Sequence, residues 1–97
     1  MPSFVPRSLA PVKQQETLAK REARLRHAIS TSANADAIAT SAEHVRESQL
    51  NILKARRELL RYKPESLEVT LQLENIAADE VVWRNLSIDD ITRRYGF

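Results

Sequence analysis

Two histidines, one pair of adjacent aspartates, a short run of cations and two large aromatics are the residues of this chain whose types could do chemistry. His27 and His44 could form a metal or acid–base pair. Neither has a carboxylate or second ligand four residues away to complete a site, so both read as surface histidines. Asp89 and Asp90 could be paired carboxylates for general acid–base work. Adjacent residues on a helix point about 100° apart, however, and acids in a first turn are explained by the helix dipole. Trp83 and Tyr95 could stack on nucleobases, but scarce aromatics in a thin core serve more often as packing anchors. The cluster Lys20, Arg21, Arg24, Arg26 with His27 supplies candidate phosphate contacts. Its cations spread around a helix, which suits backbone neutralisation without sequence reading, and a solvated helix face is the plainer explanation.

Nothing else in the sequence converges on catalysis. There is no nucleophile elbow, no glycine-rich phosphate loop and no zinc-binding histidine pair, and a single glycine argues against a nucleotide loop. The absence of cysteine removes thiolate chemistry, cysteine-based zinc sites and disulfides, and fits a reducing, intracellular setting. The expectation is therefore a non-enzymatic chain without cofactor or metal.

The elements that would position these residues follow from composition and periodicity. At 97 residues the chain makes one domain, rich in the helix formers Ala, Leu, Glu and Arg. The expected class is all-α: an elongated helical hairpin or small bundle with coiled-coil-like packing. Residues 1–14 carry Pro2, Pro6 and Pro11 and read as an extended arm beside a single helical domain over 15–97. The acid-free start with Arg7 and Lys13 is faintly like a transit peptide, although its prolines interrupt an amphipathic helix. Helices are expected over 15–30, 35–62, 65–83 and 87–95. Ser32 or Asn34 is expected to cap the second, Pro64 to end it, and Gly96 to stop the last in the left-handed region.

The second helix is the most informative. Ile38, Val45, Ile52 and Leu59 recur every seventh residue, with Ser41, Ser48, Ala55 and Tyr62 on the adjoining seam positions, so that a neighbouring helix can approach the small residues closely. Leu50, Leu53 and Leu60 form a second stripe on another face, which a lone hairpin cannot cover. The segment 65–83 is ambiguous: Leu67, Val69, Leu71 and Leu73 alternate as in a strand. At helical spacing, Val69, Leu73, Ile76, Ala77 and Trp83 form one face and Leu67, Leu71, Ala78, Val81 and Val82 another. Helix is favoured, because a strand would lack a good partner.

Charge is graded along the chain. The net charge of +2 divides into +4 over residues 1–30, +1 over 31–62 and −3 over 63–97. This suggests an acidic partner for the front or contact between the two ends. No apolar run reaches the ~20 residues of a membrane span. Residues 86–97 resemble the first helix and turn of a helix-turn-helix and are similar to the end of small helical recombination mediators, a likeness that implies an accessory role beside nucleic acid. The leading expectation is a small subunit or adaptor that binds one or more protein partners, or another copy of itself. The residues expected to meet them are Ile38, Val45, Leu50, Ile52, Leu53, Leu59 and Leu60. The alternative is a nucleic-acid-associated accessory protein contacting phosphates through Lys20, Arg21, Arg24 and Arg26.

Overall fold

The computed structural model describes the backbone of residues 4–96 and the side chains of residues 12–96. Its elements are four helices, α1 (Phe4–Ser30), α2 (Ala35–Leu60), α3 (Leu67–Asn85) and α4 (Ile88–Tyr95), with no strand among the described residues. The fold is all-α and elongated, 48 × 30 × 19 Å along its principal axes. Helix, not strand, is thus the state of the ambiguous segment.

Three boundaries correct the sequence reading. The extended arm is replaced by helix from Phe4 onward, while Pro2 lies outside the described residues. Proline's fixed φ near −65° is itself helical. Pro6 falls in the first turn, whose amides have no partner inside the helix, and Pro11 removes one interior hydrogen bond without breaking the element. The third helix begins at Leu67, after Ser66 and not in the first turn after Pro64, because the Ser66 side chain accepts from the amide of Val69. Gly96 closes α4 at φ −83° and ψ −4°, in the right-handed region. Among the described residues the left-handed one is Ser32, with φ 54°, where α1 ends. There the amide of Ala33 reaches back to the carbonyl of Ala28 at 2.9 Å and that of Ser32 to Ile29 at 3.1 Å. Asn34 then caps α2 by accepting from the Ala37 amide at 2.8 Å. Ser87 and Asp90 form the reciprocal capping box that starts α4.

α2 is the central element. It packs against α1 and α4 on one side and against α3 on the other, as its two apolar stripes require. The first core cluster joins Leu25 of α1, Ala42 and Val45 of α2 and Ile91 of α4, with Leu18, Ile29, Ile38, Leu86, Ile88 and Tyr95 around them. The second joins Leu53 and Leu60 of α2 to Ile76 of α3, with Leu50, Val69 and Leu73 packed on it. Trp83 touches both clusters and links them.

Polar contacts lock α3 to α2 at two levels. Arg46 donates to the carbonyls of Arg84, at 3.2 Å, and of Leu86, placing a cation at the carboxyl end of α3 where the dipole favours it. Farther along α2, Arg57 makes a paired hydrogen bond to the buried carboxylate of Glu80, at 3.0 Å for Nη1–Oε2, and Arg84 lies 3.8 Å from the same group. The Arg57 hydrogen bond is the main reason that the Glu80 carboxyl sits below the ordinary carboxylate range, against the opposing effect of burial.

A depressed folded-state pKa means that the Glu80 contribution is complete above the unfolded carboxyl range, about 4.3, and is lost as pH falls through the lower folded value. In urea unfolding, Glu80→Gln should therefore be less stable than the parent at neutral pH. The difference should close in acid below about pH 4 as the parent carboxylate is protonated. A pH-independent difference would mean that the glutamine costs packing and not charge.

Candidate interaction surface

The structure disperses the residues whose types could do chemistry. His27 and His44 are exposed on different helices, and no group of three or more metal-ligating side chains occurs among the described residues. Asp90 is used by its cap and by Arg93 at 3.6 Å. Tyr95 is half-buried with Arg26 over its ring at 5.2 Å, and burial, followed by the neighbouring Glu22 carboxylate, pushes its hydroxyl up to about 12. Trp83 is half-buried beneath Arg94, which sits 5.4 Å from its ring. Both aromatics are packing anchors that also carry a cation.

The candidate phosphate contacts separate in the same way. Arg21 turns inward, donating to Ser48 Oγ at 2.9 Å and the His44 carbonyl at 3.2 Å, and it lies 3.9 Å from Glu47. Arg26 is held on Tyr95. Lys20 and Arg24 remain exposed, and at helical spacing they share the outer face of α1 with Lys13 and His27. Glu16 interrupts that row.

The residues expected to meet a partner are mostly used by the chain itself. Val45, Ile52, Leu53 and Leu60 are buried, and Ile38 and Leu50 are half-buried against the two core clusters. Leu59 instead lines a groove of about 530 Å³ between the end of α2 and α3. Leu59, Leu60 and Ile76 line its apolar part, and Arg56, Lys63, Gln72, Asn75 and Asp79 complete it.

The surface left open lies on α3. Its inner face, Val69, Leu73, Ile76, Glu80 and Trp83, is turned toward α2. Directly opposite, Leu67 is 76% exposed, Leu71 50% and Val82 45%, with the small Ala78 and the polar Asn75 between them, and Val81, 55% exposed, lies at the edge of this face. At 3.6 residues per turn, Leu67, Ala78 and Val82 all fall within about 40° of Leu71 on the helix circumference. α3 is therefore largely apolar on two opposed faces, only one of which the other described residues cover. The sequence carried this face in its helical spacing; without the fold, nothing told which of the two faces is turned to α2.

Neither a family model, nor a curated protein, nor a solved structure matches this chain. No helix among the described residues is long and apolar enough to cross a membrane.

Proposed function

We propose that the chain is a non-enzymatic helical interaction protein, a small subunit or adaptor that docks a protein partner on the outer face of α3. The observation that supports this reading is the row Leu67, Leu71, Ala78, Val81 and Val82, an apolar stripe on a helix whose other face already has its partner. A helix with two apolar faces gains from burying both, and several large apolar residues exposed on one helix face mark an interaction surface. Arg46, Arg57 and Glu80 hold α3 on α2, so the stripe is presented on a formed helix, which lowers the ordering cost at binding.

Size analysis of the protein in native extracts tests the reading. The parent chain should migrate well above the 11.1 kDa of a single copy. The double substitution Leu67→Ser with Leu71→Ser should return it to the monomer position with its circular dichroism unchanged. A parent chain that migrates as a monomer and binds no apolar-surface dye would overturn the assignment.

A further inference from the structure

The charges around the α3 stripe specify the chemistry of what it accepts. α3 holds four acids, Glu68, Glu74, Asp79 and Glu80, against the one cation Arg84. Glu80 is directed inward and satisfied by Arg57 and Arg84, which leaves Glu68, Glu74 and Asp79 exposed. On the helix circumference Glu74 lies about 60° to one side of Leu71, and Glu68 and Asp79 about 60–80° to the other. Leu67, Leu71, Ala78 and Val82 thus run between carboxylates on both edges, with Val81 just outside Glu74, while Asp79 shares the groove between α2 and α3 with Arg56 and Lys63. Arg84 lies beyond either rim, toward the Glu80 side.

Resting on the reading of α3 as a docking face, we infer that its occupant is a basic amphipathic helix: one with an apolar stripe of its own and Lys or Arg on both flanks. Leu67 to Val82 spans about 22 Å, so the occupant needs about four turns to cover it. Its flanking cations would meet Glu68 on one rim and Glu74 on the other, and Asp79 where it can compete with Arg56 and Lys63, which sets register and disfavours wrong partners. The same rims disfavour the other occupants. Nucleic-acid backbones and anionic lipid surfaces would be disfavoured by Glu68 and Glu74. A second copy joined through α3, in either two-fold arrangement, would set acidic rim against acidic rim. The basic outer face of α1 in a second copy, Lys13, Lys20, Arg24 and His27, has the right charge, but among the described residues the exposed apolar area beside it comes from Val12 and the small Ala19 and Ala23.

Two designed amphipathic peptides of about 18 residues with the same leucine stripe, one with lysine flanks and one with glutamate flanks, are the probes. Binding to the full chain is followed by fluorescence anisotropy. The lysine-flanked peptide should bind at least about tenfold more tightly, as three partly exposed charge pairs would give, and the ratio should shrink at high salt. Glu68→Lys, Glu74→Lys and Asp79→Lys together should reverse the preference, and Leu67→Ser with Leu71→Ser should weaken both peptides. Equal binding of the two peptides, lost in the leucine variant, would overturn the charge selection and leave α3 as a docking face. Binding that survives the leucine variant would overturn the proposal as non-specific attraction. Self-association that neither peptide competes away would identify a second copy as the occupant and overturn it. If neither peptide binds and the chain stays monomeric in native extracts, the docking reading falls as well.

Discussion

Leu25→Ala and Ile91→Ala are each expected to lower the unfolding free energy by about 2–5 kcal/mol, a large part of the margin of a domain this small. Both side chains are fully buried and meet in one cluster with Ala42 and Val45. The Ile91 result is the more informative. α4 has only eight residues, too few to be helical alone, and it persists because Ile88, Ile91 and Tyr95 project into the notch between α1 and α2. If α4 belongs to the single cooperative core, Ile91→Ala shifts the whole urea transition, and Trp83 fluorescence and far-ultraviolet circular dichroism move together. If α4 were a frayed end, the same substitution would leave the main midpoint in place and remove a small early phase. Val82→Ala, on the exposed face of α3, serves as the control and should change stability by less than about 1 kcal/mol.

The elements that periodicity and capping define were legible in the sequence, and those that depend on pairing between distant residues were not. Asn34 and Ser87 act through side chains that reach only three residues ahead, so local sequence holds the signal; Ser66 caps α3 over the same reach, although the spacing after Pro64 placed it inside the helix. The two stripes of α2 state that it must be covered on two sides, and it is. The N-terminal half of α1 was misread because three prolines were weighed as an arm, although Pro6 stands where a helix loses nothing by it. Arg57 and Glu80 lie on different helices, and only the antiparallel register of α2 and α3 brings them together. That register also decides which face of α3 stays open. Leu67, Leu71, Ala78, Val81 and Val82 were visible as a helical face, whereas Val45, Ile52, Leu53 and Leu60, which looked equally suited to a partner, are used up inside. Periodicity reports that a face must be buried; it does not report by what.

Ser48→Leu should destabilise the chain by roughly 1–3 kcal/mol through overpacking, and by more where the lost polar contact adds to it. In an open coiled-coil seam the same change would add apolar area and stabilise, so the sign is decisive. The structure argues for loss. Ser48 is buried between α2 and α1, and its hydroxyl accepts from Arg21 Nη1 at 2.9 Å. Ser41 and Ala55, one heptad to either side, are also small and partly covered, which lets α1 run close. Two causes can be separated. Ser48→Ala keeps the close approach and removes only the acceptor, so it should cost about 1 kcal/mol; Arg21 is partly exposed and water can replace the hydroxyl. With Arg21→Met in the background, the penalty of Ser48→Ala should largely disappear, while the steric part of the Ser48→Leu penalty should remain. A Ser48→Leu chain more stable than the parent would show that α1 and α2 are not in close contact at this level. A penalty abolished by Arg21→Met would assign the whole effect to the hydrogen bond, leaving the small seam residues without a packing role.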